Sequence, residues 1–177
     1  MQPYNFDRIR RLTITAMLLA VAFILSWVER AVEIPIIVPG IKLGLANIVI
    51  MFTMCICGKK EDLMVLTGRL ILNALLFGNL LSLIYSVTGG FLSFAIMCVA
   101  MNLFKVQSIT VVSICGGVFH NIGQLTAACI VMKSFAVLSY LPYLIIGGII
   151  TGALNGIIVR KISVFKIFEK RDIKILE

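Results

Sequence analysis

The sequence has few charged residues, and this scarcity decides the class of protein. Charged side chains make up 14% and apolar side chains 60% of the 177 residues, whereas soluble domains have about 25% charged residues. So few charges cannot cover a water-soluble globule, and so many apolar residues exclude a disordered chain. The net charge of +8 therefore raises the question of where along the chain the charges fall.

Residues for several kinds of enzyme chemistry are also scarce. Asp7, Asp62 and Asp172 stand apart, so the sequence lacks the carboxylate cluster that holds Mg²⁺ on prenyl or phosphate substrates. It has no phosphate-binding loop of the ATPase type, and its single histidine has no recognisable catalytic partners. The five cysteines have no metal-binding spacing and are interpreted as packing residues. We expect no enzyme, no metal and no cofactor.

Six apolar runs approach the length of about 20 residues that a helix needs to cross a bilayer. None alternates strictly between apolar and polar residues, so helices are predicted rather than a barrel. The predicted fold class is all-α, a polytopic membrane protein with one membrane domain over residues 1–177. The runs cover about residues 12–28, 41–57, 63–79, 80–104, 106–132 and 138–159, and a basic tail follows at 160–177.

The basic residues predict the orientation of these spans. If the N-terminus is cytoplasmic, 12 of the 16 Lys and Arg residues fall in cytoplasmic segments and three in outside segments. Such a bias follows the positive-inside rule. We therefore predict a multi-pass protein of the cell membrane with both termini in the cytoplasm. The charge is explained by topology and by contact of the tail with the anionic leaflet, without a nucleic acid partner.

Polar groups are costly inside a membrane, so each one requires a partner or a ligand. Residues 29–42, which include Glu33, join the first two spans and contain two prolines and a glycine. This segment is either a lid over a cavity or an ordinary connector. Lys42 either meets an anionic ligand group or snorkels to lipid headgroups. Asn47 lies about 7–8 Å deeper on the second span.

The third and fifth spans carry the other polar groups. Arg69 and Asn73 share one face of the third span. Arg69 either snorkels to the cytoplasmic side or pairs with a buried acceptor, and Asn73 is expected to bridge helices. On the fifth span His120, Asn121 and Gln124 lie beside glycines that allow close approach. These three residues either bridge helices or line a ligand pocket, and their clustering favours the pocket.

Two segments resemble a known family of membrane proteins. Residues 39–47 (Pro-Gly-Ile-Lys-Leu-Gly-Leu-Ala-Asn) and 120–125 (His-Asn-Ile-Gly-Gln-Leu) resemble the Gx transporter family, whose older label is heptaprenyl diphosphate synthase component I. The six spans and the pair Ala16 and Ala20 are also similar to S-components of energy-coupling factor (ECF) transporters. Those proteins capture substrates and work with a scaffold membrane subunit and two ATPases. The resemblance extends from about residue 11 to residue 159.

The resemblance implies a substrate-binding membrane subunit of an uptake transporter for a small, vitamin-like or isoprenoid-, quinone- or flavin-related molecule. Ala16 and Ala20 would contact the scaffold subunit, and loop 29–42 would gate a cavity open to the outside. The alternatives are an accessory subunit of isoprenoid or quinone synthesis, or of a flavin- or quinone-linked electron-export system. The predicted substrate-binding residues are Glu33, Lys42, Asn47, Asn73, His120, Asn121 and Gln124.

Overall fold

The computed structural model describes residues 6–31, 44–77, 80–104 and 109–164. Within these ranges the chain forms helices and no strand, so the predicted all-α class is confirmed. Six α-helices and one short 3₁₀ helix follow one another along the chain. They are α1 (Phe6–Ala31), α2 (Leu45–Ile56), α3 (Lys59–Phe77), α4 (Leu80–Phe104), α5 (Ile109–Met132), the 3₁₀ helix (Phe135–Tyr140) and α6 (Leu141–Val164).

Four segments of the described chain are long and apolar enough to cross a membrane. Large apolar side chains also point outward, with Leu75 75% exposed, Ile130 71% and Leu103 70%. Such a surface is compatible with a membrane protein, because soluble monomers rarely expose large apolar patches. The four segments are Ile9–Glu29, Leu80–Phe104, Ile109–Met132 and Phe135–Ser163.

The second apolar run forms a shorter helix than the sequence predicts. α2 has 12 residues and is therefore about 18 Å long, against about 30 Å for the hydrocarbon core. It begins after Gly44, whose φ of 70° is left-handed and lies outside the helical region. Residues 41–43, which the prediction includes in this run, lie outside the described residues.

The third run belongs to a helix that begins earlier than predicted. α3 starts at Lys59 rather than at residue 63, and its first turn carries Glu61 and Asp62. Negative charge is favourable at a helix N-terminus. The prediction from apolar residues alone therefore places the start of this helix too late. α3 is not among the four long apolar segments, so the structure supports four spans by length and composition and not the predicted six.

The remaining runs overlap α1, α4, α5 and α6, and α4 has the predicted bounds of 80–104. At the end of the chain, α6 continues through Arg160 and Lys161 to Val164. The predicted basic tail therefore begins as part of α6. Its remainder, residues 165–177, lies outside the described residues.

The helices form a ring in which α2, α3, α4, α5 and α6 pack in sequence and α6 packs back on α2. α1 lies outside this ring, against α2 and α3. Gly148, Gly152 and Gly156 of α6 face the backbone of α5, and a Cβ atom at Gly152 would lie 2.7 Å from the Cα atom of Ile114. Small residues four apart are typical of such close helix contacts in membranes.

The apolar core lies at the end of the ring where α2 ends and α3 begins. Met51, Met54, Val65 and Leu66 are almost completely buried there. Asp62 is also fully buried at this end. A cavity lies between the helices and extends towards the opposite end, where α1 ends and α2 begins.

Candidate functional site

A polar cavity lies inside the bundle, and all six α-helices contribute to its wall. The volume open to the centres of water molecules is about 120 Å³. One water needs about 10–15 Å³ by this measure, so the cavity has room for much more than a single water. Its polar wall residues include Ser26, Glu29, Asn47, Arg69, Asn73, Ser86, Ser93, Ser113, His120, Asn121, Gln124, Thr151 and Asn155.

Five of the seven predicted substrate-binding residues meet at this cavity. They come from α2, α3 and α5, which the sequence alone could not place next to one another. The five are Asn47, Asn73, His120, Asn121 and Gln124. The other two, Glu33 and Lys42, lie outside the described residues, as does most of the predicted lid segment.

The polar residues of α5 are held in fixed positions. The amide nitrogen of Gln124 lies 2.9 Å from Nε2 of His120, as their shared helix face predicts. Because an amide nitrogen only donates, Nε2 of His120 is the acceptor in this bond. Asn121 donates from Nδ2 to the carbonyl oxygen of Leu144 on α6, at 2.8 Å. Asn121 therefore bridges helices and lines the cavity at once, so the two interpretations of this cluster are compatible.

Three helices are tied together at the end of the cavity where α2 begins. The backbone N–H of Gly44 donates to the carboxylate of Glu29 on α1. The carbonyl oxygen of Gly44 accepts from Nδ2 of Asn155 on α6, at 3.2 Å. All three residues line the cavity. Glu29 thus supplies a negative charge and an acceptor at the N-terminus of α2, where the helix has unpaired N–H groups.

The α3 wall of the cavity contains polar atoms that have no partner. Arg69 is 7% exposed, and neither its Nε atom nor the Oδ1 atom of Asn73 has a hydrogen-bond partner. A buried polar atom left unpaired is costly, so this wall is not built for stability alone. The adjoining wall is apolar and consists of Ile50, Met51, Leu66, Leu70 and Met97.

A comparison with protein families identifies the chain at family level. The model described as "Heptaprenyl diphosphate synthase component I" matches residues 18–162, which is most of the sequence. The chain belongs to this family. The match reaches from α1 to α6 and so includes every described residue that lines the cavity. No curated protein and no solved structure matches the chain.

The cavity of this heptaprenyl diphosphate synthase component I family member has residues that the predicted site leaves out. Glu29, the first residue of segment 29–42, and Arg69 are charged residues of the sequence that are not assigned to the predicted site. Asn155 lies within an apolar helix, and the cost of burying an amide there could have identified it. The serines and threonines give a weaker signal, because Ser26 and Thr151 also bond to the backbone of their own helices.

The predicted partner surface is separate from the cavity. Ala16 and Ala20 are both exposed on α1, and their contact with a scaffold subunit stays a prediction. Among the described residues, no group of three His, Cys, Asp or Glu side chains is placed to hold a metal ion.

Proposed function

We propose that this protein is the substrate-binding integral membrane subunit of an uptake transporter of the energy-coupling factor type, similar to an S-component. The observation that supports this proposal most is the polar cavity to which all six helices contribute. A purely structural bundle would gain nothing from burying the unpaired Nε of Arg69 and Oδ1 of Asn73 in residues that line a cavity. The substrate is a small molecule, vitamin-like or related to isoprenoids, quinones or flavins.

In this proposal six helices lie in the bilayer, both termini are cytoplasmic and the cavity end of the bundle faces outside. The charges at the opposite end support this orientation. Arg11 on α1 forms a salt bridge with Glu61 on α3, and Lys59 on α3 donates to Oδ1 of Asn102 on α4, at 2.7 Å. Basic residues from α1 and α3 therefore lie at the end that the positive-inside rule assigns to the cytoplasm.

The proposed partners are a scaffold membrane subunit and two ATPase subunits, besides the lipid bilayer. Ala16 and Ala20 are exposed on α1. Because their side chains are small, the backbone of a partner helix can approach α1 closely there. α1 is suited to this contact because it lies outside the ring of the other five helices. Partner binding on α1 therefore need not disturb the ring.

Replacing His120 tests whether the cavity binds the substrate. We expect protein purified in mild detergent to retain a small molecule in native mass spectrometry. In His120→Ala the affinity for this molecule should drop about tenfold, which is the effect of one lost hydrogen bond. The fraction of protein that carries the molecule should fall accordingly.

The matched control for His120 is Thr126→Ala. Thr126 is exposed on the same helix, and its hydroxyl bonds to the carbonyl oxygen of Ile122. This variant should retain the molecule as the wild type does. A wild-type protein that never carries a small molecule, or a His120→Ala protein that keeps it undiminished, would contradict the proposal.

The family description supports a second candidate, an accessory membrane subunit of isoprenoid synthesis, because it names a synthase component. The two candidates differ in their partners. Affinity purification from native membranes should recover a scaffold membrane protein and ATPases if the transporter proposal holds. Recovery of a soluble prenyltransferase in their place would favour the second candidate.

A further inference from the structure

Arg69 is a buried cation in the cavity wall, and the described protein gives it no hydrogen-bonded anion. It lies on α3 among the core residues Leu66 and Leu70, and 7% of its surface is exposed. Its guanidinium group is planar, always charged and shaped to hold a carboxylate with two parallel hydrogen bonds. A buried charge of this kind normally has a partner, so its position beside open space needs an explanation.

The nearby carboxylates do not provide that partner. Glu29 and Asp62 both act electrostatically on Arg69, but Glu29 accepts the N–H of Gly44. Asp62 precedes Arg69 by seven residues, about 10 Å along the helix, and neither of its oxygens has a hydrogen-bond partner. Asp62 is also absent from the cavity wall. The position next to the guanidinium is therefore left for a ligand.

The remainder of the wall limits what this ligand can be. Among the described wall residues, Arg69 is the one cation and Glu29 the one carboxylate. Within the described wall a doubly charged phosphate would meet a single cation, whereas a single carboxylate matches one guanidinium. The Oδ1 atom of Asn73, one turn further along α3, is unpaired but closed off from the cavity, so it sets no requirement on the ligand.

The apolar part of the wall continues from the same position. Leu66 and Leu70 lie on either side of Arg69 on α3, and Met51 and Met97 approach from α2 and α4. A carboxylate held by Arg69 would therefore have its carbon atoms against this surface. Burial of the apolar part adds to affinity without adding charge.

We propose that the ligand is a small organic acid with one carboxylate, which Arg69 binds, and with an apolar part. This inference rests on the proposed function and adds the chemical class of the substrate. The acid is monoanionic, and its carboxylate lies at the α3 wall rather than at the end where α2 begins.

The first test is the chemistry of the molecule that the purified protein carries. It should be extracted and treated with a carbodiimide and an amine, which modify carboxylic acids. We expect a single carboxylate that reacts. Arg69→Gln should lose the molecule, and Arg69→Lys should retain less of it than the wild type, because an ammonium group lacks the planar fork.

Two charge controls separate ligand binding from folding. Lys60→Gln removes a positive charge from an exposed position on the same helix and should leave retention unchanged. If Arg69→Gln does not fold, the double variant Asp62→Asn with Arg69→Gln removes the opposing buried carboxylate as well. Asp62→Asn alone should keep the acid, whereas a purely structural pairing of Arg69 with Asp62 predicts that both single variants behave alike.

The second test uses benzoate and benzamide, and hexanoate and hexanamide, as probes of equal shape and different charge. We expect the acids to raise the melting temperature of ligand-free protein by about 2–4 °C, and the amides to have little effect. Arg69→Gln should abolish the response to the acids. Equal stabilisation by acids and amides, or an acid response that survives in Arg69→Gln, would overturn the proposal.

The outcomes also separate this inference from the proposed function. If Arg69→Gln retains a neutral molecule that His120→Ala loses, the proposed carboxylate ligand is wrong. The proposal of a substrate-binding subunit would still hold. A wild-type protein that carries no molecule and responds to no probe would overturn both. If the wild type carries an acid that Arg69→Gln does not retain, both the inference and the proposed function are supported.

Discussion

Gly152→Leu should prevent the bundle from folding. A Cβ atom at Gly152 would lie 2.7 Å from both the Cα atom of Ile114 and the carbonyl oxygen of Ser113. These are backbone atoms of α5 and cannot rotate away as a side chain end can. Overpacking of a core costs about 1–3 kcal/mol, and a larger loss is expected where two helix backbones must separate. Fluorescence-detected size exclusion should show aggregated or absent protein.

The control for Gly152→Leu is Ala95→Leu, which adds bulk at an exposed position on α4 and should leave a monodisperse peak. A Cβ atom added at Gly148 or Gly156 would lie 2.8 Å or 2.6 Å from a Cα atom of α5, so leucine there should have the same effect. A stable, monodisperse Gly152→Leu protein would show that α5 and α6 do not pack in this way.

Glu29→Ala should both destabilise the protein and abolish binding of the small molecule in the cavity. The variant removes the acceptor of the Gly44 N–H and the only described carboxylate of the cavity wall. A hydrogen bond to a charged group contributes about 1.5–3 kcal/mol. We expect a loss of about 2 kcal/mol in the free energy of unfolding, measured by titration with sodium dodecyl sulfate. The molecule seen in native mass spectrometry should be lost as well.

Glu61→Ala provides the comparison for Glu29→Ala, because it also removes a carboxylate. Its partner Arg11 lies 3.8 Å away and is 58% exposed. A pair of this kind contributes about 0–1 kcal/mol, so the variant should unfold nearly as the wild type does and keep the ligand. If the two alanine variants lower the free energy of unfolding equally, the bond between Glu29 and the N–H of Gly44 has no special role.

The sequence predicts the helices better than their ends. α4 has the predicted bounds because its apolar run and its helix coincide. α2 is shorter than its run because hydropathy does not register the left-handed backbone at Gly44. α3 is longer, since a helix can begin with charged residues such as Lys59 that no search for apolar segments includes.

Much of the candidate site is predictable because amides and imidazoles are costly within apolar helices. Asn47, Asn73 and His120 are such residues, and the structure places them around one cavity. The cost of burial does not reveal which helices are neighbours, so the bond from Asn121 to Leu144 could not be predicted. The glycines four apart on α6 were visible in the sequence, and their spacing alone would have indicated the close packing of α6.

An experimental structure of the protein, purified from native membranes and held in a lipid nanodisc, tests the central claim most directly. We expect density for a small molecule in the cavity, in contact with Arg69 and Asn73 on α3 and with His120 on α5. A cavity that holds only water, with the guanidinium of Arg69 turned onto Asp62 or Glu29, would contradict it.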